Sequence, residues 1–318
     1  MVATGALVAA SFARAQTGKT YRVGLGFVVS QEVAKPLEQA FLSGLGDHGY
    51  VSGKNLIFDV RYGGGDPARL PALVDELIAL KPDVLAGFEA VASAMKGKTS
   101  TIPIVLTNSS DPVGLGLVQS LSRPGGNVTG ISIVIEQLVP KSLELMREII
   151  PALSRVGLLL DATFPGSGAA EKLTRAAAQG FGVTIQPYYV ANRVELEKVL
   201  EAMGKDRLGA LICGGGGVLV NFARLIVDGS LRLRIPLTGV VELPPAEMRA
   251  LFAYGPNLVQ AYRDSARYVD KILRGAKPAD LPVEQPTRFN FVVNVKTAKT
   301  LGLTIPKSVL FRADRVIE

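Results

Sequence analysis

The feature that most constrains the fold is an alternation of strands and helices that runs along the chain and then starts again. The first run opens with the predicted strand RVGLGF at 22–27 and ends near Gly130. The second opens with RVGLLL at Arg155, 133 positions after Arg22. Further strands are predicted at 55–62, 83–87, 101–107, 183–190, 208–213 and 235–238. Since strands connected by helices form parallel sheets, we expect two doubly wound, Rossmann-like α/β lobes joined by a hinge.

The repeat also sets the domain boundaries. We expect a first lobe at 21–130 and a second lobe at 131–256, preceded by a leader at 1–20. A long amphipathic helix is predicted at 257–275, after the last strand of the second lobe. A chain of 318 residues with 48% hydrophobic content is long enough to bury two cores of ordinary size.

The leader carries a sorting signal. Residues 5–12 are mostly apolar, and Ala13-Arg14-Ala15 before Gln16 has the small-x-small form of a signal-peptidase site. The basic segment that usually precedes such a signal is missing, so the alternative is an uncleaved apolar tail. We expect a truncated signal peptide, a mature protein that begins at Gln16, and a periplasmic location.

Composition excludes several classes of protein. The one cysteine, Cys213, excludes an internal disulfide, and the one histidine, His48, excludes any two-histidine metal motif. The net charge is +7, but lysine and arginine are scattered and no aromatic residues interleave with them, which argues against nucleic-acid binding. We therefore expect no metal, no cofactor and no nucleic-acid partner.

The stretch 101–130 has the pattern of a ligand-facing segment. A β-branched strand at 101–107 is followed by the polar residues Asn108, Ser109, Ser110 and Asp111, and a helix is predicted at 113–121. In open α/β sheets ligands bind beyond the carboxyl ends of strands, beside helix N-termini. Asn108, Ser109 and Ser110 are therefore candidates for binding a ligand carboxylate, and the alternative is that these residues and Asp111 only cap the helix. The glycine-rich exit SRPGGNVTG is typical of a hinge.

Other loops at strand ends supply further candidates. Glu89 and Glu242 are acids that can receive an ammonium group, as can Asp111, although acids at such positions are often only solvated. The candidates for an apolar wall, each of which could equally be core, are Phe27, Phe88, Phe164 and Tyr189. Ser30 lies in the loop after the first strand, and Gly215 lies in the run CGGGG, which favours a tight turn or a close backbone approach to ligand.

Two long segments carry a family resemblance. The strings TIPIVLTNSSDPVGLGLVQSLSRPGGNVTG at 101–130 and FAYGPN…LPVEQP…VLFRADRVIE at 252–318 resemble bacterial ABC-transporter substrate-binding proteins, in the group with tryptophan- and phenylalanine-binding members. The resemblance implies a type I periplasmic-binding-protein fold and no catalysis. It also implies that the helix after 257 returns to the first lobe, up to about 282, and that 283–318 belongs to the second.

Two functions remain open. The first is a monomeric solute-binding protein that closes on a small molecule and presents it to a membrane permease driven by a separate ATPase. The ligand is expected to be an amino acid or similar small carboxylate with an apolar or aromatic side chain. The second is a two-lobed enzyme, such as a transferase, acting in the same cleft. An enzyme needs a general base or nucleophile there, and His48 lies at the outer end of the first predicted helix.

Overall fold

The computed structural model describes residues 19–133, 138–239, 249–285 and 289–318. It contains two sheets, one of five strands and one of seven. Within the described residues no helix is both long and apolar enough to cross a membrane. The leader lies outside the described residues apart from Lys19 and Thr20.

The first sheet has the order β2-β1-β3-β4-β5, and all its strands are parallel. Its strands are β1 (Tyr21–Phe27), β2 (Leu56–Tyr62), β3 (Val84–Gly87), β4 (Ile104–Leu106) and β5 (Val128–Gly130). Its connecting helices are α1 (Gln31–Asp47), α2 (Leu70–Ala79) and α3 (Glu89–Lys98). β1 pairs on both sides, and Val23 and Leu25 in it are completely buried, as expected for a central strand of a parallel sheet.

The second sheet has the order β12-β11-β10-β9-β8-β6-β7 and is parallel except for the β10–β11 pair. Its strands are β6 (Arg155–Asp161), β7 (Thr184–Val190), β8 (Ala210–Cys213), β9 (Leu237–Gly239), β10 (Phe252–Gly255), β11 (Asn290–Asn294) and β12 (Arg315–Ile317). The helices after β5 are α4 (Leu138–Ile149), α5 (Ser167–Gln179), α6 (Arg193–Met203), α7 (Gly217–Asn221), α8 (Ala223–Arg232), α9 (Leu258–Leu273), α10 (Val295–Leu301) and α11 (Lys307–Arg312). The predicted fold class, two parallel α/β lobes, is confirmed.

The long helix α9 follows a strand of the second sheet but packs against α1 of the first lobe. The two backbones approach so closely that a Cβ placed on Gly44 would lie 2.3 Å from the carbonyl oxygen of Arg263. Arg263 also pairs with Asp47 at 2.8 Å, and the Tyr50 hydroxyl donates to Asp270 at 3.1 Å. The absence of a side chain at Gly44 therefore allows α9 to pack closely against α1.

The chain crosses between the lobes three times, after β5, after β10 and before β11. The first and third crossings lie side by side, because Ile131 forms a parallel bridge with Glu284. Ser132 N donates to Glu284 O at 2.9 Å, and Glu284 N donates to Gly130 O at 3.1 Å. These two crossings therefore form one hydrogen-bonded unit of the hinge.

Two predicted helices differ from the structure. The helix predicted at 113–121 is wrong: the chain makes one wound turn after Asp111 and leaves it at Gly116, whose φ is +65°. Gly114 and Gly116 lower helix propensity, and nothing extends the single turn. The helix predicted at 218–229 is two helices, α7 and α8, because the backbone breaks at Phe222 (φ −106°, ψ 19°).

Candidate functional site

A largely apolar pocket lies between the lobes, at the carboxyl ends of the central strands. Its volume is about 570 Å³ including space open to solvent. The first lobe and α9 contribute Phe27, Val28, Val29, Leu37, Phe88, Asn108, Leu258 and Tyr262, and the second lobe contributes Phe164, Gly216, Gly217 and Val220. A neighbouring space of about 490 Å³ shares Val28, Phe88, Phe164 and Gly217 with it. None of the side chains lining the first space is charged.

The aromatic residues predicted to form an apolar wall are only partly brought together. Phe27, Phe88 and Phe164 meet at the pocket. The ring of Phe27 packs nearly parallel to the rings of Tyr62 and Tyr262, with centroid distances of 5.9 and 5.5 Å.

Tyr189 does not join this wall. It lies on β7, an edge strand, where its side chain is 42% exposed and its hydroxyl donates to Glu171 on α5 at 2.7 Å. Successive side chains of a strand point to opposite faces, and its neighbour Tyr188 is the one that is buried. The sequence pattern did not distinguish these two tyrosines.

Glu89, the first residue of α3, is held by the loop after β4. Its Oε2 accepts hydrogen bonds from Ser109 Oγ at 2.8 Å, Ser110 Oγ at 2.7 Å and Ser110 N at 2.6 Å. The residue is 1% exposed, and its Oε1 has no hydrogen-bond partner among the described residues. The expected donation from Ser109 or Ser110 to a ligand carboxylate does not fit this arrangement, because a hydroxyl has one proton and both protons are directed to Glu89.

Asp111 has the structural role that the sequence left open. It is exposed, and its Oδ1 accepts a hydrogen bond from Gly114 N at 2.8 Å, which stabilises the wound turn. It does not line the pocket, whereas Asn108, 7% exposed, does. Glu242 lies outside the described residues, so its predicted role stays a prediction.

The glycine run after β8 forms the wall of the second lobe. Gly215 is buried, and Gly216 and Gly217 reach the pocket. Gly216 has φ +126°, and a Cβ on it would lie 2.4 Å from Asp161. Asp161 in turn accepts a hydrogen bond from Val218 N at 2.9 Å and fixes the start of α7. The glycines therefore allow a close approach of the backbone to Asp161, and the predicted close approach to a ligand stays a prediction.

The lobes touch at the rim of the pocket. Ser30 N donates to Asn221 Oδ1 at 3.0 Å, while the Ser30 hydroxyl caps α1 by accepting from Val33 N at 3.5 Å. A Cβ on Gly65 would lie 2.2 Å from Asn221 Nδ2, and one on Gly217 would lie 2.6 Å from Val28 Cγ1. Ser30 is thus at the cleft, but its described contacts are with the protein.

Sequence reasoning missed several residues of this site, among them Val28, Val220, Asn221, Leu258 and Tyr262. Tyr262 and Leu258 lie on the amphipathic helix, whose buried stripe was visible in the sequence. The stripe gave no sign that one end of it reaches the pocket. Asn221 follows an apolar segment and carries no local signal.

Cys213 lies beside a second apolar cavity, inside the second lobe. Burial raises the pKa of its thiol to about 12, so it stays protonated and weakly reactive at neutral pH. This agrees with the interpretation that the residue is packed. Among the described residues, no group of three or more histidine, cysteine and acidic side chains is placed to hold a metal ion.

Known proteins are similar to this chain over most of its length. The profile of the family described as "ABC transporter substrate binding protein" matches residues 22–317. A "Tyrosine-binding protein" from Clostridioides difficile is 22% identical over 286 residues, which cover 90% of this chain and 82% of that protein.

Solved structures are also similar to this chain over almost its whole length. A conserved domain protein from Vibrio cholerae is 28% identical with a TM-score of 0.86, and the match covers 94% of this chain and all of that one. An ABC domain from Streptococcus pneumoniae in complex with L-Trp is 25% identical with a TM-score of 0.81, covering 93% of this chain and all of that one.

Proposed function

Because the chain belongs to the ABC transporter substrate-binding protein family, we propose that it is the extracytoplasmic component of an importer and binds an amino acid between its lobes. The preferred side chain is apolar or aromatic. The observation that carries this proposal is the pocket, whose described lining has aromatic and aliphatic side chains, one amide and no charge. Such a lining favours a neutral side chain, because a charged one would lose its hydration without a counter-charge.

The relatives support the same class of ligand. One similar structure holds L-Trp, and one similar protein is named for tyrosine. Aromatic side chains suit a site lined by Phe27, Phe88 and Phe164, since aromatic rings pack favourably against one another.

Isothermal titration calorimetry across the 20 common L-amino acids, with glucose and benzoate added, tests this function. We expect binding of aromatic or large aliphatic amino acids and none of aspartate, glutamate, lysine or arginine. Phe88→Ala should weaken that binding, whereas Phe311→Ala, at a position 93% exposed on α11, should leave it unchanged. Binding of the sugar or of benzoate alone would contradict the proposed ligand class.

Delivery and location need separate tests. In proteoliposomes that contain the cognate permease and ATPase, the liganded protein should stimulate ATP hydrolysis. Light scattering should show that the protein is a monomer. With a basic segment fused before Met1, the protein should be exported and should begin near Gln16. A full-length product retained in the cytoplasm would contradict the periplasmic location.

A further inference from the structure

We propose that Glu89 binds the positively charged amino group of the ligand, and that the protein therefore selects primary ammonium compounds with an apolar body. The proposal rests on the proposed function and names the residue and the ligand group behind its specificity. Of the three acids that the sequence offered, Asp111 stabilises a turn and is exposed, and Glu242 lies outside the described residues. Glu89 lies among the described residues, is buried, and has one carboxylate oxygen without a hydrogen-bond partner there.

Only one of the two carboxylate oxygens of Glu89 accepts hydrogen bonds from described residues. All three of its described donors, two hydroxyls and one backbone N–H from Ser109 and Ser110, are on Oε2. Oε1 is buried, and no described residue donates to it or forms an ion pair with it. A buried carboxylate oxygen without a partner is unfavourable, so a folded protein keeps one only where something else supplies the donor.

Glu89 lines neither of the two spaces between the lobes itself, but it lies between two residues that do, so a ligand bound there is the nearest candidate donor. Its neighbours in sequence, Phe88 and Ala90, line the two adjoining spaces between the lobes. It opens α3, a helix of ten residues, whose N-terminal amides stabilise a negative charge. The serines fix the rotamer, so the free oxygen is already oriented before the ligand arrives, and an ammonium group completes its coordination through a charge-assisted hydrogen bond.

The arrangement predicts a rank order of ligands. A compound with an ammonium group and an apolar body should bind whether or not it also has a carboxylate. The same compound without its amino group should bind poorly, because Oε1 would then be buried again without a donor.

The first test uses the wild-type protein and nine compounds. Calorimetry compares L-tryptophan, L-tyrosine and L-phenylalanine with their decarboxylated amines and with their des-amino 3-arylpropanoates. For the amino acid that binds most tightly, removal of the amino group should weaken binding about ten- to a hundredfold, and removal of the carboxylate should weaken it less. A des-amino acid that binds as tightly as its parent overturns the proposal without any variant being made.

The second test uses Glu89→Gln, which keeps the size of the side chain and an acceptor for the serines. This substitution should weaken binding of the amino acid and of the amine about ten- to a hundredfold and should leave binding of the des-amino acid unchanged. Glu171→Gln, at an acid that bonds Tyr189 and Arg175 away from the pocket, is the matched control and should change none of the three. Equal weakening of all three ligands by Glu89→Gln would show a structural role and overturn the proposal.

Failure of this proposal differs from failure of the proposed function. If amino acids bind and Glu89→Gln binds them as the wild type does, the function stands and the role of Glu89 is wrong. If none of the nine compounds binds the wild type, both are wrong for this ligand class. Should Glu89→Gln not fold, Ser110→Ala, which removes one anchor of the carboxylate, should reduce the preference for the amino acid over its des-amino analogue, and an unchanged preference would count against the proposal.

Discussion

The two lobes contribute to the pocket in opposite ways. The first lobe, with α9 packed on it, supplies most of the aromatic rings and the amide of Asn108, and the polar cluster of Glu89, Ser109 and Ser110 is buried next to them. The second lobe supplies less side-chain surface, since two of its four lining residues are Gly216 and Gly217 and the others are Phe164 and Val220. If the proposed function holds, we expect the first lobe to carry most of the groups that recognise a ligand, and the glycines of the second to allow a close approach.

This difference teaches where substitutions should act. Changes in the first lobe should alter which compounds bind, or remove the platform on which the recognition groups stand. Changes in the glycine wall of the second lobe should alter how completely the lobes close on any ligand. The predictions below test that division, beginning with the largest expected effect.

The largest effect is expected where α9 joins the first lobe. In Gly44→Leu the new side chain would overlap the Arg263 carbonyl, because a Cβ there already lies 2.3 Å from that oxygen. We expect a loss of about 3 kcal/mol in the free energy of unfolding, measured by urea denaturation. The control is Gly46→Leu on the same helix, where a Cβ meets nothing within 4 Å. Equal stability of the two variants would show that α9 is not tightly docked.

The next effect is a loss of stability at alkaline pH that comes from the first-lobe side of the pocket. Burial raises the pKa of Tyr262 to about 12, above the usual value of 10.0. The folded state thus favours the neutral phenol; this contribution is fully present below pH 10 and is lost as the pH rises through 12. A rise of about two pKa units corresponds to about 3 kcal/mol, which is the upper limit of this contribution.

Tyr262→Phe tests this contribution. The variant cannot ionise at this position, so its free energy of unfolding should fall less steeply between pH 10 and 12 than that of the wild type. Urea denaturation at a series of pH values gives both slopes. Identical slopes would mean that Tyr262 ionises alike in the folded and unfolded states.

A smaller effect is expected at the glycine wall. Gly217→Ala places a Cβ 2.6 Å from Val28 Cγ1 on the opposite lobe. Holding the lobes apart by a few tenths of an ångström should weaken binding by about 1 to 2 kcal/mol, for all ligands alike and with little change in melting temperature. Val28→Ala should restore much of the affinity in the double variant, and calorimetry on the four proteins measures the coupling. Additive losses would show that the two residues do not meet in the bound state.

The smallest effect is expected at the rim. Asn221→Ala removes one hydrogen bond between the lobes, the one from Ser30 N, and should weaken binding by about 1 kcal/mol. Small-angle scattering without ligand should show a larger radius of gyration if that bond holds the lobes together. Gln179→Ala, at an exposed position of the second lobe, is the control. An unchanged radius and an unchanged affinity would mean that the contact contributes nothing to closure.

The sequence predicted the order of elements well, because it depends on local patterns. Alternating strands and helices, and the restart at Arg155, were sufficient to predict two parallel lobes. The helix predicted at 113–121 failed at the same local level, where Gly114 and Gly116 outweighed the apolar spacing.

The site was less predictable, because it depends on contacts between distant parts of the chain. Phe27, Phe88 and Phe164 lie at or just after the ends of three different strands and could be named from their positions. The pairing of Glu89 with Ser109 and Ser110 joins the start of α3 to the loop after β4, and no local sequence pattern predicts it. It changed the expected role of the serines from donors to a ligand into anchors of an acid.

The hinge has a mechanical consequence. Two of its three crossings, at 130–133 and 283–285, are linked by backbone hydrogen bonds through Glu284. Two extended segments joined by backbone hydrogen bonds should bend out of the plane of those bonds more easily than they shear within it. We therefore expect the lobes to rotate about this pair of crossings more easily than they slide past each other. Because sliding is disfavoured, the glycines of the second lobe should return to the same position against the aromatic rings each time the lobes close.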